Sequence, residues 1–172
     1  MSASAATGYG IGQPVRRKED RRLVTGRGRY VDDFSLSGMA HAVVVRSPHA
    51  HARIVAIDTA AARAAPGVLA VLTGADYRAD RLGPIPHAAG LMNRPDLQVR
   101  LPAGKPITTR HEPMPADIVR VVGEPVALVA AETIAAAKDA AELVEVSYDL
   151  LPAVVDVAEA LKPGAPRLWD AA

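Results

Sequence analysis

"IDTAAARAAPGVLAVLT", Ile57 to Thr73, holds the plan of the fold in one stretch. Asp58 and Thr59 are helix-capping residue types, the alanines after them favour helix, and Pro66 with Gly67 stops it. "VLAVLT", Val68–Thr73, then reads as a strand, followed by a short helix over Gly74–Asp80. Upstream, "ARIVAID", Ala52–Asp58, reads as the second arm of a hairpin whose first arm is "MAHAVVVR", Met39–Arg46. The same grammar returns in "AETIAAAKDAAELVEVSYD", Ala131–Asp149, where Thr133 can N-cap a helix over Ile134–Leu143. The strand after it places Val144, Val146 and Tyr148 on one face. Before it, Asp117–Val122 and Val126–Glu132 read as two strands joined by a turn at Gly123–Pro125. Two ββαβ-like units around one mixed sheet, an α+β domain, is the expected architecture.

Composition narrows the function classes. The chain has 172 residues, 49% of them hydrophobic but only 3% aromatic, so its core is built on Ala and Val. Small aliphatics bury less apolar area per residue, and such a domain gains from a covered face. Lys and Arg number 20 against 19 Asp and Glu. That balance argues against a nucleic-acid or membrane-surface role driven by net charge. With no cysteine, thiolate metal sites, iron–sulfur ligation and a Cys nucleophile are excluded within this chain. No apolar run approaches the length of a membrane span or a signal peptide, and a cytoplasmic location is expected.

The remaining segments set the expected domain plan. Residues 1–15 read as a flexible N-terminal segment, and residues 16–150 as the domain itself. Within it, Leu82–Pro115 carries Pro84, Pro86, Pro95, Pro102, Pro106, Pro113 and Pro115, a density that excludes regular helix or central strand. Residues 151–172 read as an extension with one short helix near Val157–Leu161. The apolar stretch "LLPAVVDVAEAL", Leu150–Leu161, is a candidate docking surface.

Candidate chemistry is sparse. "RSPHAHARI", Arg46–Ile54, holds His49 and His51, whose spacing on an extended segment would suit a chelate. A third ligand would have to come from His41, His87 or His111, and no spacing ties them to the pair. The alternative is that both histidines hydrogen-bond a turn. In Arg16–Arg29, Gly26 and Gly28 would let backbone approach an anion, but the run lacks phosphate-loop spacing. Ion pairing to a partner surface or to Asp32 and Asp33 is its expected use. Glu124 sits in a Gly-x-Pro turn and reads as an exposed corner rather than a general base. No catalytic, cofactor-binding or metal-binding residue is assigned.

Three motifs in order carry a family resemblance: "RRKEDRRLVTGRGRYVDD" (Arg16–Asp33), "HAVVVRSPHAHARIVAIDTAAARAAPGVLAVLTGAD" (His41–Asp76) and "VVGEPVALVAAETIAAAKDAAELVEVSYDLLPAVVD" (Val121–Asp156). Together they resemble the start of the molybdopterin-binding large subunit of molybdenum hydroxylases, which include xanthine dehydrogenase, aldehyde oxidase and aerobic carbon monoxide dehydrogenase. The opening motif looks most like the carbon monoxide dehydrogenase-type subgroup, with Val24 where Leu is usual. The resemblance implies the α/β hammerhead fold. It also implies an assembled oxidoreductase holding molybdopterin cytosine dinucleotide, [2Fe–2S] clusters and FAD. Its partners would be the remaining molybdopterin-binding domains, an FAD subunit and a [2Fe–2S] subunit, with no nucleic acid and no membrane. The family's molybdopterin contacts and catalytic glutamate lie in later domains, so none is carried onto a residue here. The chain is thus expected to be a structural and interaction domain without activity of its own. The competing readings are a free-standing binding domain of the same fold and a small His-based metal protein.

Overall fold

Each alanine-rich helix begins on a side-chain cap, because the first backbone N–H groups of a helix have no partner within it. Thr133 Oγ1 accepts from the N–H of Ala136 at 3.1 Å, opening α4 (Ile134–Glu142). At α2 (Ala60–Ala64) the cap comes from Asp58, whose Oδ1 accepts from the N–H of Ala60 at 2.8 Å. Thr59 Oγ1 accepts instead from Arg63 Nε one turn on, at 3.0 Å. The computed structural model describes residues 17–86 and 109–169. The N-terminal segment 1–15, His87 and the middle of the Pro-rich stretch lie outside the described residues.

The chain divides into two compact units, Met1–Met39 and Ala40–Ala172. The first contains α1 (Asp20–Val24) and one 3-10 turn at Val31–Asp33. Asp33 Oδ2 accepts from the N–H of Tyr30 at 2.8 Å, and the Arg29 guanidinium lies 5.6 Å from the centre of the Phe34 ring.

The second unit holds β1 (His41–Arg46), β2 (Ala52–Asp58), β3 (Val68–Thr73), α3 (Gly74–Ala79), β4 (Ile118–Val119), β5 (Pro125–Ala131), β6 (Glu145–Leu150) and α5 (Val157–Ala160), besides α2 and α4. The α+β class holds. The pairing does not follow the expected single mixed sheet with local hairpins. The strands form two three-stranded sheets, β1-β5-β3 and β4-β2-β6, in which every pair is antiparallel. Neither β1–β2 nor β4–β5 is a hairpin; each duo splits between the two sheets. The cause lies in β5, whose Val126, Ala127, Val129 and Ala131 are all fully buried. Such an apolar strand needs a partner on both edges, so β5 takes β1 and β3 and leaves β2 to β6.

Two β-bulges adjust the faces. Val55 is the unpaired extra residue between Ile54 and Ala56 of β2, and its side chain stands 63% exposed. Side chains alternate along a strand, so one extra residue switches parity. Ile54 before the bulge and Ile57 after it therefore both pack into the same core cluster. Leu69 occupies the equivalent place in β3, between Val68 and Ala70. β4 is shorter than the expected Asp117–Val122 strand, because the N–H of Glu124 turns back to the carbonyl of Val121. Val121 and Val122 are left exposed.

Two apolar clusters form the core. One gathers Ala52, Ile54, Val119 and Val126, with Ile57, Val146 and Tyr148 packed against it. The other gathers Ala62, Val71, Val129 and Ala140, with Val68 and Val144. Val45 touches both clusters. Helix α4 packs on β1, β5 and α2, and its buried Ala137 and Ala140 permit the close approach.

Candidate functional site

The connectors 47–51 and 120–124 form the junction between the sheets. Ser47 is 2% exposed, so its backbone groups need protein partners. Its N–H donates to the carbonyl of Glu124 at 2.9 Å, and its carbonyl accepts from the N–H of Gly123 at 2.8 Å. Arg46 Nη1 adds a bond to the Gly123 carbonyl at 2.8 Å. Ser47 Oγ accepts from the N–H of His49 at 3.1 Å, which tightens the turn at Pro48. Glu124 is therefore not the exposed corner expected of it. It is half-buried, and its Oε2 accepts from the N–H of Arg120 at 2.5 Å. Gly123 adopts φ +83°, a conformation that L side chains rarely tolerate.

The two histidines face different partners. The His49 ring meets Tyr148 edge-on, with centroids 4.8 Å apart. His51, 8% exposed, donates from Nδ1 to the carbonyl of Pro152 at 2.6 Å. Its own carbonyl accepts from the N–H of Leu151 at 3.0 Å. The pair thus stitches β2 to the exit of β6. Among the described residues no group of three or more His, Cys, Asp or Glu could hold a metal ion. Asp33 caps the 3-10 turn and Arg17 pairs with Asp20 at 2.9 Å, so among the described residues the ion pair of the basic run does not involve Asp32 or Asp33.

Sequence reasoning missed a polar cleft of about 260 Å³ lined by Arg78, Arg110, His111, Glu112, Asp117, Arg120, Glu124 and Trp169, among others. Arg78 on α3 reaches Asp117 at 2.8 Å and Glu112 at 3.1 Å. Ion pairing with Asp117, then Glu112, holds its guanidinium above the ordinary value, so it stays charged. Arg110 Nε also meets Glu112, at 3.0 Å. Arg120 donates to the carbonyls of Leu168 at 2.5 Å and Ile118 at 3.2 Å, and lies 5.5 Å from the centre of the Trp169 ring. These contacts fold the C-terminal residues back onto the end of β4. No sequence spacing signals them, since Arg78 and Asp117 are 39 residues apart.

Close backbone packing fixes one rim of the cleft. A Cβ on Gly74 would fall 2.6 Å from the Pro115 carbonyl and 2.7 Å from the N of Ala116. The start of α3 is held by Thr73 and Asp76. Asp76 Oδ2 accepts from both the hydroxyl and the N–H of Thr73, each at 2.8 Å. The hydroxyl bond above all, then the N–H, holds the Asp76 carboxyl below its ordinary value.

Among the described residues no free set of ligating side chains is gathered for the cofactors implied by the resemblance. The chain has no cysteine for a cluster, and the cleft's carboxylates are already engaged by Arg78, Arg110 and the N–H of Arg120. What the geometry provides is rigid packing, a charge-balanced cleft and an exposed apolar tail. No helix among the described residues is long and apolar enough to cross a membrane.

Comparison with known proteins is consistent across sequence and structure. A family model described as the a/b hammerhead domain of aldehyde oxidase and xanthine dehydrogenase matches residues 25–152. The carbon monoxide dehydrogenase large chain of Afipia carboxidovorans is 43% identical over 161 residues, covering 94% of this chain and 18% of that protein. The nicotine 6-hydroxylase large subunit of Paenarthrobacter nicotinovorans is 41% identical over 154 residues, covering 90% of this chain and 17% of the relative. A crystal structure of Cu,Mo-CO dehydrogenase in the carbon monoxide reduced state superposes with a TM-score of 0.72 at 40% identity, covering 91% of this chain and 18% of that one. The chain therefore spans less than a fifth of these relatives. It belongs to the molybdenum hydroxylase family, matching over residues 25–152 the a/b hammerhead domain of aldehyde oxidase and xanthine dehydrogenase.

Proposed function

We propose that this domain works as a structural and interaction module, packing against the molybdopterin-binding portion of a molybdenum hydroxylase large subunit. The observation that carries this reading is the exposed apolar run after β6. Leu150, Val155, Val157 and Leu161 are 65%, 89%, 80% and 83% exposed. Apolar side chains gathered in one short segment mark an interaction surface. Residues 151–172 then serve as the extension toward the molybdopterin-binding domains, and residues 16–150 as the hammerhead domain itself. The assembled enzyme would be cytoplasmic and would join this subunit to an FAD subunit and a [2Fe–2S] subunit. Molybdopterin supplies the redox chemistry when bound, and this chain's own residues supply packing. The Pro-rich stretch 82–115 would shape substrate approach.

Co-expression with the remaining large-subunit polypeptide tests the reading. Co-purification at equal stoichiometry, lost on the double substitution V155D/V157D, is the expected result. A well-behaved monomer that never associates would favour a free-standing domain instead. Exchange of residues 82–115 between homologues in a full complex should alter substrate preference; an unchanged preference removes the role in substrate approach.

A further inference from the structure

Among the described residues, four cations of the basic run take part in no ion pair. Lys18, Arg21, Arg22 and Arg27 are all exposed, and with Thr25 they line a hollow of about 590 Å³ within the unit Met1–Met39. The nearby acids are committed elsewhere: Asp20 pairs with Arg17, and Asp33 accepts from the Tyr30 N–H. The chain folds so as to gather the four charges. The N–H of Gly26 donates to the Leu23 carbonyl at 3.1 Å and that of Arg27 to the Arg22 carbonyl at 2.9 Å, with Gly26 at φ +70°. Gly28 then lies against Leu23, where an added Cβ would fall 2.6 Å from Cδ2. The turn thereby brings Arg27 back to the hollow that Arg21 and Arg22 line. Cations suit the last turn of a helix, which accounts for Arg21 and Arg22. It does not account for Lys18 before α1 or Arg27 beyond it. Residues 1–39 hold seven Lys and Arg against four Asp and Glu, and residues 40–172 hold thirteen against fifteen. The positive charge is therefore local, and like charges gathered in one place repel until something neutralises them.

We propose that this hollow docks a carboxylate-bearing face of the remaining large-subunit polypeptide, which supplies the counter-charge for Lys18, Arg21, Arg22 and Arg27. The hollow's own chemistry chooses among anions. A phosphate cradle is built from main-chain N–H groups. Here the N–H groups of Gly26 and Arg27 are spent on carbonyls, and the Thr25 hydroxyl donates to the Arg21 carbonyl at 2.7 Å. Single-stranded nucleic acid needs aromatic faces on which bases stack, and none lines the hollow. What remains is a set of separate, exposed cationic ends. Three of them are guanidinium forks, which match carboxylates two oxygens at a time. The relatives carry this domain as 17–18% of a longer chain, so the protein surface nearest to hand is the rest of that chain. The assignment rests on the packing role proposed above, and it adds a charged contact to the apolar one at Leu150–Leu161.

The test is the affinity of the full chain for the remaining large-subunit polypeptide, measured at increasing salt. Wild type should bind more weakly as salt rises, because exposed charges are screened. The combined variant Lys18→Gln, Arg21→Gln, Arg22→Gln and Arg27→Gln removes the charges and keeps good helix formers. Its isolated chain should melt no lower than wild type, since only mutual repulsion is lost. The same variant should bind the partner polypeptide about 10-fold more weakly at low salt, as expected for four exposed ion pairs, and should lose most of the salt dependence. A lower melting temperature would mean that the four side chains support the unit itself, and overturns the proposal. Equal binding by variant and wild type also overturns it, while the packing role stands. In that case, binding of an oligothymidylate or of inorganic polyphosphate that the variant loses reassigns the hollow to a phosphate polymer. Failure of wild type to associate at all overturns both the hollow and the packing role.

Discussion

The N–H of Ser47 donates to the carbonyl of Glu124 at 2.9 Å, so the turn that ends β1 and the turn that starts β5 are hooked together. The return bond from Gly123 to the Ser47 carbonyl closes the hook. Two stretches that stand out in the sequence, "RSPHAHARI" and "VVGEPVA", are therefore one structural device. They lock the sheet containing β1 and β5 to the sheet containing β2 and β4.

Gly123→Ala is the sharpest probe of that hook. Its Cβ would meet nothing within 4 Å, so the effect comes only from φ +83°. Forcing an L side chain into that conformation costs about 1–2 kcal/mol. Urea denaturation should show a lowered midpoint with unchanged slope. A variant as stable as wild type would mean that the turn relaxes freely.

The bulge at Val55 predicts a contrast between substitution and deletion. Val55→Ala removes an exposed side chain and should change stability by less than about 0.5 kcal/mol. Deleting Val55 reverses the parity of β2 beyond it and turns Ile57 out of the core, so the deletion should unfold the domain or abolish soluble expression. Circular dichroism of the pair decides between them.

Gly74→Ala should loosen the rim of the cleft. The added methyl would sit 2.6 Å from backbone atoms of Pro115, which have no side-chain freedom with which to yield. A loss of about 1–3 kcal/mol is expected, typical of overpacking. Tryptic cleavage after Arg110 should accelerate; unchanged cleavage would show that the 110–117 segment is anchored without this contact.

Acid should act through Asp76. Its carboxyl titrates below the ordinary value of 3.8 because Thr73 bonds the charged form. A depressed folded value contributes stability that is fully present above the unfolded value and is lost as pH falls through the folded one. Asp76→Asn should therefore melt lower than wild type at neutral pH, with the gap closing below the ordinary carboxylate range. Solvent screening of a side chain 42% exposed keeps the neutral-pH loss to about 1 kcal/mol. Melting temperatures across pH 2–7 give the comparison, and a gap independent of pH would contradict it.

Local structure was legible in the sequence where the physics is local. Thr133 bonding Ala136, Asp58 bonding Ala60 and the alternation of Val146 with Tyr148 all follow from neighbouring residues. Strand partners were not legible, because alternation says which face is buried and nothing about which strand lies alongside. The one available clue was the unbroken apolar run of β5, which marks a strand needing neighbours on both edges. The partners of His49 and His51 were not readable, since Tyr148 and Pro152 lie about a hundred residues along the chain from the turn at Pro48. The cleft was not readable, since Arg120 and Leu168 meet across 48 residues of chain.

The splitting of both strand duos also governs when this domain can form during synthesis. β1 and β3 have no partner until residues 125–131 have been made, because β5 lies between them. β2 meets only the two-residue β4 before its longer partner β6, which ends at Leu150, has been made. Non-local pairing of this kind folds slowly and leaves strand edges open meanwhile. A ribosome carrying the first hundred residues therefore holds helices and unpaired strands with no sheet to join. Nascent chains arrested before about residue 131 should be protease-sensitive throughout, and protection should then arrive in two late steps, one for each sheet.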